Sequence, residues 1–495
     1  MTIEPKTSAS PKMSASKDGA AGSGTAVHPS SDRPGVDVDA LRRSVAGNFR
    51  ATVDALVDLV AIPGIAWDAF DVAELERSAA AVAALIRAAG LEDVQILRVN
   101  KEDGTPGGPA VVARKPAAAG KPTVLLYAHH DVQPPGNAAL WQTEPFGAVE
   151  RDGRLYGRGA ADDKAGIMAH VGALRAITDI VGADFGLGVT LFIEGEEEAG
   201  SPTFARFLAT HRELLRADVI VVADSSNWKV GVPALTTSLR GLVDGTIEVA
   251  VLDHAVHSGM FGGPVLDAPT LLARLIATLH DDDGAVAIEG LVSRDAAAID
   301  YPEADYRTDT SMLAGVRLAG SGSLASRLWT KPALSIIGMD VPTVALSSNT
   351  LLPVARAKFS LRLSPGQDPQ SAMDAVERHL QRYAGTVAFG AKVTFTPGEQ
   401  GQAFATDTSA PAARSALWAL GTAWGVQPVE SGMGGSIPFV ADLTETYPEA
   451  QILITGVEDP DSRAHSANES LHLGDFENTI LAEALLLATL DAQGL

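Results

Sequence analysis

The amino-acid sequence predicts an α/β fold into which a second, α+β region is inserted. Four short runs, at residues 124–127, 189–193, 219–222 and 452–454, consist almost entirely of apolar and β-branched side chains. Such runs are typical of buried strands in a largely parallel sheet. Each leads into a segment that carries His, Asp or Glu, and ligand sites of these sheets lie at the carboxyl ends of the strands. Between the third and the fourth run the pattern changes, which indicates the insertion.

The individual elements follow from apolar spacing and from stop signals. Apolar residues at helical spacing predict three helices in the first part of the chain, at residues 37–60, 74–89 and 165–181. Pro63-Gly64 ends the first of these and Gly90 ends the second. Strands and helices then alternate to about residue 233, as expected for an α/β domain.

The pattern of apolar and polar residues changes after Thr236. An α+β pattern follows, with strands expected at 242–251, 355–363 and 393–396 and helices at 270–279 and 369–383. Helices predicted at 410–424 and 476–490 flank the last apolar run, so the α/β pattern of the first part of the chain resumes there. The resulting domain prediction is a tail at 1–35, a catalytic domain formed by 36–235 and 405–495, and an inserted domain at 236–404.

Composition narrows the function classes. The 495 residues include 38 basic and 61 acidic side chains, a net charge of −23, which argues against nucleic acid or an anionic membrane surface as a partner. No apolar run approaches the ~20 residues that a membrane crossing requires. Residues 1–35 are rich in Ser, Ala, Gly, Pro and Lys and have no apolar stretch, which predicts a disordered tail without a secretory signal. A cytoplasmic location is therefore expected.

The chain has no cysteine, so any metal must be bound by oxygen and imidazole. These ligands suit zinc, manganese or cobalt. Acidic and imidazole groups gathered at one sheet edge cannot all be buried as unpaired charges, and a bound metal cation would compensate the negative charge. The groups in question are His129-His130-Asp131, Asp162-Asp163, Glu194 to Glu198, Asp224 and His465.

Each of these groups has a simpler interpretation when taken alone. His129 and His130 could be exposed loop histidines beside a turn-forming Asp131. The Asp162-Asp163 pair could cap the helix that follows, since Asp is a preferred N-cap, or one carboxylate could bridge two cations. The four carboxylates in 194–198 could form a solvated face. Asp224 and His465 are weak signals when taken singly. A simple interpretation of all five groups would have to hold at the ends of successive core strands, which favours the metal site. No HExxH motif is present.

Several longer motifs resemble the M20 family of metallopeptidases, and most closely its dipeptidase and carnosinase-like branch. The similarity runs from about residue 40 to the end. The motifs are Tyr127-Ala-His129-His-Asp131-Val-Gln-Pro134, Trp141 with Pro145-Phe146, Asp152-Gly-Arg-Leu-Tyr-Gly-Arg-Gly-Ala-Ala-Asp162-Asp163-Lys164, Glu194-Gly-Glu-Glu197-Glu198-Ala-Gly-Ser201, His257-Ser-Gly-Met-Phe-Gly-Gly263 and Ala464-His465-Ser-Ala-Asn-Glu469.

The resemblance implies a zinc-peptidase-like α/β catalytic domain with an inserted lid or dimerisation domain, and a homodimer. It also implies two divalent cations, usually zinc, with manganese or cobalt as alternatives, and a cis peptide between Asp162 and Asp163. Asp162 would bridge the cations, His129 and Asp224 would bind one of them, and Glu198 and His465 would bind the other. Glu197 would be the general base and acid, and Asp131 would orient His129.

The resemblance also implies substrate contacts from the inserted region. His257 would stabilise the oxyanion, often from the partner subunit, and Arg362 would grip a substrate carboxylate through its guanidinium fork. Asn349, Gly435 and Ser436 are further expected substrate contacts. The sequence departs from the family pattern at Gly432-Met433, where dipeptidases often have Arg-Glu, and this removes a charged contact near the substrate.

The function predicted from these observations is metal-dependent hydrolysis of dipeptides or short peptides by activated water. Two alternatives stay open at this point. One is an amidohydrolase acting on N-acyl or N-carbamoyl amino acids, which uses the same machinery. The other is a metal-holding or ligand-binding protein without catalysis, which would have no need for an uncoordinated Glu197.

Overall fold

The computed structural model describes residues 33–297, 299–435 and 437–495. Its α-helices are α1 (Val38–Val60), α2 (Val72–Ala88), α3 (Lys164–Val181), α4 (Phe204–Thr210), α5 (Ser258–Phe261), α6 (Ala268–Ala277), α7 (Glu303–Asp309), α8 (Leu324–Trp329), α9 (Pro369–Ala384), α10 (Pro411–Trp424), α11 (Pro438–Thr446) and α12 (Leu473–Gln493). Short 3₁₀ helices lie at Ala138–Leu140 and Val344–Leu346.

The strands are β1 (Asp93–Leu97), β2 (Ala110–Lys115), β3 (Thr123–His129), β4 (Val149–Arg151), β5 (Arg154–Tyr156), β6 (Gly188–Glu194), β7 (Val219–Val222), β8 (Ala234–Leu239), β9 (Gly241–Ala250), β10 (Val256–His257), β11 (Ala333–Asp340), β12 (Thr350–Leu351), β13 (Val354–Leu363), β14 (Lys392–Gly401), β15 (Phe404–Ala405), β16 (Val429–Met433), β17 (Gln451–Ile454) and β18 (Ser470–His472).

A nine-stranded sheet forms the larger part of the fold. Its order is β1-β2-β6-β3-β7-β17-β8-β15, and β16 pairs with β8. The four central strands β6, β3, β7 and β17 are parallel, with Tyr127 opposite both Phe192 and Val222. These strands are the four apolar runs of the sequence, so the predicted parallel core is confirmed. The outer strands β1, β2 and β8 run antiparallel to their inner neighbours.

Both faces of the nine-stranded sheet are buried, which explains why its strands are apolar without alternation. In β3, Leu126 belongs to the core under α1, α3, α10 and α12, whereas Leu125 and Tyr127 belong to the core under α4 and α11. Side chains two residues apart point to the same face of a strand. A polar side chain in the middle of β3 would therefore be buried away from water on either face of the sheet.

A four-stranded antiparallel sheet, ordered β11-β13-β9-β14, makes up the second unit. Helices α6 and α9 cover one face of it, and β13 alternates between buried residues such as Phe359 and Leu361 and more exposed ones. The chain leaves the nine-stranded sheet after Leu239 and re-enters it at Phe404. The predicted α/β fold with an inserted α+β region is confirmed, while the predicted division at 235/236 and 404/405 stays a prediction.

The predicted helices and strands listed above are present with shifts of a few residues at their ends. The elements α4, α8, α11 and β11 were not among those predicted. Residues 1–32, which make up most of the predicted tail, lie outside the described residues, as does Ser436. Within the described ranges, none of the helices combines the length and apolar character that a membrane crossing needs. The cytoplasmic location stays a prediction.

Candidate active site

The carboxyl ends of the central parallel strands bring the predicted site residues together. β3 ends at His129, β6 leads into the loop of Glu197 and Glu198, Asp224 follows β7, and His465 lies in the loop after β17. Because β6, β3, β7 and β17 are adjacent and parallel, these ends share one edge of the sheet. Residues spread over more than 330 positions of the chain therefore face one region.

Asp162 lies between two imidazoles. Its Oδ1 is 3.1 Å from Nε2 of His129, and its Oδ2 is 3.0 Å from Nε2 of His465. Nε2 of His465 is also 3.2 Å from Oε2 of Glu198. Asp162 is only 5% exposed. Each of its carboxylate oxygens thus faces a different imidazole, which is the arrangement that a carboxylate bridging two cations requires.

Two groups of three side chains that could hold a metal result, and in each the donor atoms lie within 4.8 Å of one another. The groups are His129, Glu197 and Asp224, and Asp162, Glu198 and His465. Imidazole nitrogens and carboxylate oxygens are the ligands of catalytic zinc sites, so the residues present fit a pair of divalent cations. All five predicted ligands belong to these groups, together with the predicted base Glu197.

Two carboxylates of the centre, those of Glu197 and Asp224, are held where a negative charge is unfavourable. Burial raises the pKa of Glu197 to about 9, and the negative charges of Asp224 and Asp131 add to this shift. Burial raises the pKa of Asp224 to about 6, with Asp162 contributing. Asp162 itself is buried, yet hydrogen bonds from the two imidazoles lower its pKa below the ordinary value. A cluster of this kind is stabilised by bound cations.

The two imidazoles show the complementary effect. Burial lowers the pKa of His129, but its contacts with Asp131 and Asp162 outweigh this and raise the pKa well above the ordinary value. Hydrogen bonds to Asp162 and Glu198 raise the pKa of His465 to about 10. Both rings therefore lie in surroundings that favour a positive charge on them.

Asp131 connects β3 to the loop that carries Glu197 and Glu198. Its Oδ1 accepts a hydrogen bond from the Glu197 backbone N–H at 3.1 Å, and its Oδ2 accepts one from the Glu198 N–H at 3.0 Å. The same Oδ1 lies 3.5 Å from Nδ1 of His129, which is nearer, at 3.1 Å, to the backbone carbonyl oxygen of Asp131. Asp131 thus contacts both a predicted ligand and the segment of the predicted base.

The neighbouring His130 points the other way. It is fully buried, and its Nε2 lies 2.7 Å from the carbonyl oxygen of Pro109. Adjacent side chains of an extended segment lie on opposite sides, so His129 and His130 cannot both face the cluster.

Asp163 does not behave as a simple helix cap. It occupies the N-cap position of α3, but its side chain makes no capping hydrogen bond there. Instead its Oδ2 accepts the backbone N–H of His129 at 3.1 Å. The peptide between Asp162 and Asp163 is cis, as the family resemblance implies. An ideal Cβ at Gly166 would lie 2.1 Å from Oδ1 of Asp163, so only glycine fits at that position.

Glu469 supports the loop of Asp162, a role that the sequence did not assign. Its carboxylate accepts the backbone N–H groups of Gly159, Ala161 and Asp162 at 3.2, 3.0 and 3.1 Å. Its Oε2 also pairs with Nη1 of the buried Arg158 at 2.5 Å. The only signal in the sequence was its place at the end of the Ala464 to Glu469 motif.

Glu458 is a second acidic residue near the centre that sequence reasoning missed. Burial raises its pKa well above the ordinary value, and the charges of Asp162 and Asp224 add to this. The hydroxyl of Ser226 donates to its Oε2 at 3.3 Å. Glu458 lies in an irregular loop after β17, where no periodic pattern marks it.

The residues expected from the inserted region lie in two other places. His257 and Asn349 are exposed and close together, because β10 pairs with β12 and the Ser258 N–H donates to the Asn349 carbonyl oxygen at 3.0 Å. Nδ1 of His257 accepts the N–H of Gly259 at 3.1 Å. Within the described residues, neither His257 nor Asn349 has a hydrogen bond or ion pair with the predicted metal ligands.

Arg362 is half-buried on β13, opposite Leu242 of β9. Burial lowers the pKa of Arg240, and the positive charge of Arg362 lowers it further, so the two guanidinium groups are neighbours. Nε of Arg240 in turn donates to the Gly434 carbonyl oxygen at 3.0 Å. Arg362 therefore lies in the same region as the turn of Gly434 and Gly435.

Comparison with known proteins identifies the family. Residues 125–489, well over half of the chain, match the sequence model of peptidase family M20/M25/M40. The chain belongs to this family. The M20 family and the prediction of an enzyme are thereby confirmed.

Relatives of this M20 protein place it in the predicted branch. It is 35% identical over 419 residues to the cysteinylglycine-S-conjugate dipeptidase of Corynebacterium striatum, which covers 84% of this chain and 90% of the relative. It is 29% identical over 396 residues to the human Beta-Ala-His dipeptidase, covering 77% of each chain. The predicted dipeptidase and carnosinase-like branch is therefore confirmed.

Solved structures confirm the fold. Human carnosine dipeptidase 1 matches with a TM-score of 0.69 and 25% identity, over 92% of this M20 chain and 100% of that chain. The dipeptidase Dug1p of Saccharomyces cerevisiae matches with a TM-score of 0.69 and 21% identity, over 92% and 99%. A Bacillus subtilis M20 peptidase described as binding a dinuclear metal matches with a TM-score of 0.54 and 14% identity, over 89% and 98%.

Proposed function

We propose that this M20 protein is a dinuclear metallodipeptidase that hydrolyses the peptide bond of dipeptides or short peptides. The observation that carries the proposal is the position of Asp162, whose two oxygens each face a different imidazole. The relatives support the substrate class, since the cysteinylglycine-S-conjugate, Cys-Gly and Beta-Ala-His enzymes among them are named as dipeptidases.

One cation would be held by His129, Asp162 and Asp224, and the other by Asp162, Glu198 and His465. Zinc is proposed because nitrogen and carboxylate ligands in an open site suit it, with manganese or cobalt as alternatives. When bound, the cations polarise the scissile carbonyl and lower the pKa of the attacking water. The hydrogen bonds of Gln133 to Glu198, at 3.1 and 2.6 Å, would hold that ligand in place.

Glu197 is proposed as the general base and acid. Its Oε2 lies 3.9 Å from Nε2 of His129, so it borders the cluster. Its backbone N–H donates to Oδ1 of Asp131, which holds the Glu197 segment next to the end of β3. Glu197 takes a proton from the attacking water and then gives it to the leaving amine, a transfer that contributes typically 10²–10⁴-fold to the rate.

The inserted region is proposed to supply the substrate contacts and a homodimer interface. Apolar side chains lie exposed in it, among them Met260, Val344 and Leu346, which are 74%, 93% and 76% exposed. Exposed apolar patches mark association sites. Because His257 is also exposed in this region, it is proposed to stabilise the oxyanion of the partner's substrate, with Asn349 beside it.

The test is turnover of purified protein with cysteinylglycine, β-alanylhistidine and an N-acetyl and an N-carbamoyl amino acid, each with and without a chelator. We expect chelator-sensitive hydrolysis of at least one dipeptide and much slower turnover of the acyl compounds. Faster turnover of the acyl or carbamoyl compounds would establish the amidohydrolase instead. Metal binding without turnover of any of the four would favour a non-catalytic metal-binding protein.

A further inference from the structure

A polar cavity of about 310 Å³ lies between the β4–β5 hairpin and the loop that carries His465. Three arginines, Arg151, Arg154 and Arg463, contribute to its lining, and the one carboxylate in that lining is the exposed Asp461. The protein as a whole carries a net charge of −23. Three guanidinium groups around one cavity therefore reverse the general charge of the molecule at this place.

The β4–β5 hairpin holds two of these arginines against each other. Arg151 and Arg154 are paired across the hairpin, one on each side of its Asp152-Gly153 turn. The Cβ atoms of residues paired in this way are roughly 4.5–5.5 Å apart, and like charges there destabilise the pair of strands. Arg154 and Tyr156 share a face of β5, and the Arg151 guanidinium carbon lies 4.4 Å from the centre of the Tyr156 ring. Both cations thus lie on the cavity side of the hairpin.

Carboxylates compensate this charge only in part. Nη2 of Arg154 pairs with Oδ2 of the buried Asp459 at 2.8 Å, and its Nε donates to the Ser470 hydroxyl at 2.8 Å. Its Nη1 has no hydrogen bond to any residue that the structure describes. The carboxylate within 4 Å of Arg151 is that of Asp152, which is 3.9 Å from Nε and 87% exposed. Arg154 is therefore closely paired with a carboxylate, and Arg151 is not.

Arg463 brings the third positive group from the opposite wall of the cavity. It is exposed, and its side chain has no hydrogen bond or ion pair with the described residues. It precedes His465 by two residues, in the segment 461–469, which is called the His465 loop below. Oδ1 of Asn468, in the same loop, accepts the Gln142 backbone N–H at 2.7 Å. The cavity thus has one wall on the hairpin and one on the loop that carries a predicted metal ligand.

We propose that this cavity binds a phosphate dianion, either inorganic phosphate or the phosphate group of a small monoester, and that the bound anion fastens the His465 loop to the β4–β5 hairpin. Guanidinium forks match the geometry of phosphate oxygens. The volume is at the lower end of the ~300–1,000 Å³ that small-molecule sites occupy. An anion between Arg151, Arg154 and Arg463 also removes the repulsion across the hairpin. None of the predicted metal ligands lines the cavity, so the site is separate from the metal centre.

Calorimetric titration of the metal-loaded protein with inorganic phosphate and with glycerol phosphate tests the site, at an ionic strength fixed by sodium chloride. We expect a dissociation constant on the order of 1 mM or below for at least one of the two. The one that binds more tightly identifies the natural source of the phosphate. The double substitution Arg151→Gln with Arg463→Gln should weaken that binding at least about 10-fold, because charge-assisted hydrogen bonds are lost.

The matched control is the double substitution Arg43→Gln with Arg216→Gln. Both residues are exposed, on α1 and after α4, and neither lines the cavity, so the net charge changes equally without change at the site. This variant should bind phosphate with wild-type affinity. Equal weakening in the two double variants would attribute the binding to the overall charge and would overturn the proposal.

Hydrogen exchange of the backbone amides in the His465 loop tests the fastening. Saturating phosphate should slow their exchange at least about threefold in the wild type and in the control, but not in the Arg151 and Arg463 variant. Exchange that phosphate leaves unchanged in the wild type would contradict the fastening.

An unchanged phosphate affinity in the folded Arg151 and Arg463 variant would overturn the site itself, because the anion would then be bound elsewhere, for example by the metal ions. Circular dichroism checks that the variant is folded. If it is not, Arg463→Gln alone, which changes an exposed side chain, should still weaken binding several-fold, and wild-type affinity in it would also overturn the site. Each of these failures leaves the proposed peptidase function intact, since that function is tested by dipeptide turnover.

Discussion

Glu197 is the residue on which catalysis depends most in this account. It is adjacent to the predicted ligand Glu198, yet its own carboxylate is proposed to stay free of metal. The two neighbours would then act separately as base and ligand. We predict that Glu197→Gln retains both metal ions and loses about 10²–10⁴-fold in kcat, because only the proton transfer is removed. Metal analysis together with dipeptide turnover checks this.

Glu213→Gln is the control for this variant, since Glu213 is exposed, with 82% of its side chain accessible. It should keep full activity. Wild-type turnover in Glu197→Gln would show that another group is the base, and loss of metal from it would show that Glu197 is a ligand.

The imidazoles of the centre couple metal binding to pH. In the metal-free protein the pKa of His465 is raised to about 10 and that of Glu197 to about 9, so both carry protons at pH 7. A histidine ligand must be neutral to bind metal. Binding therefore releases at least one proton, and metal affinity should rise with pH between 6 and 8.

Calorimetric titration of the metal-free protein with zinc, in two buffers of different ionisation enthalpy, measures this release directly. We expect a positive number of protons released and weaker binding at pH 6 than at pH 8. An affinity that does not depend on pH, with no proton release, would contradict the electrostatic description of the centre.

At the scale of elements, the start of α3 is fixed by Asp163 and Gly166. Alanine normally stabilises a helix relative to glycine by about 1 kcal/mol. At Gly166, however, a Cβ would lie 2.1 Å from Oδ1 of Asp163. We predict that Gly166→Ala destabilises the protein by about 1–3 kcal/mol and weakens metal binding, because Asp163 and the adjoining Asp162 must move.

The matched control is Gly47→Ala in α1, where a Cβ would meet no atom within 4 Å. That variant should be more stable than wild type by about 0.5–1 kcal/mol. Urea denaturation of both proteins checks the pair. Equal stabilisation by the two substitutions would show that Asp163 is not held against α3 as described.

The elements that could be predicted from sequence are those with a local pattern. β3, β6, β7 and β17 are buried on both faces and are therefore unbroken apolar runs. The predicted ligands lie at the ends of these strands or in the loops that follow them. Strand β11 was missed because most of its residues lie exposed at a sheet edge and lack such a pattern. The helices α4, α8 and α11 are short, and their packing is decided by distant residues.

The same distinction holds for site residues. His129, Glu198 and Asp224 are marked by position after a strand, so sequence and family motifs find them. Glu469 acts through contacts with segments that are distant along the chain, which no spacing rule reveals. The sequence also leaves open whether Asp163 caps the helix or belongs to the metal site. The contact of its carboxylate with the His129 N–H indicates the metal site.

At the scale of the whole molecule, the exposed apolar side chains of the inserted region predict association. We expect the double substitution Val344→Asp with Leu346→Asp to convert a homodimer into monomers, because it places charges in a desolvated interface. If His257 acts across that interface, kcat should fall together with the dimer. Analytical ultracentrifugation combined with turnover measures both.

Val72→Asp is the control, since Val72 is 64% exposed at the start of α2 in the other part of the molecule. It should leave the mass in solution unchanged. A wild-type protein that sediments as a monomer and is fully active would contradict the dimer proposal and assign His257 another role.

We propose that two cations share the Asp162 carboxylate, and stepwise reconstitution with zinc tests this proposal. Metal-free protein is titrated with zinc while bound metal and dipeptide hydrolysis are both followed. We expect no activity without metal and full activity at two ions per chain, and Asp162→Asn should bind zinc weakly and stay inactive. Full hydrolysis after complete metal removal, or saturation of both binding and activity at one ion per chain, would contradict it.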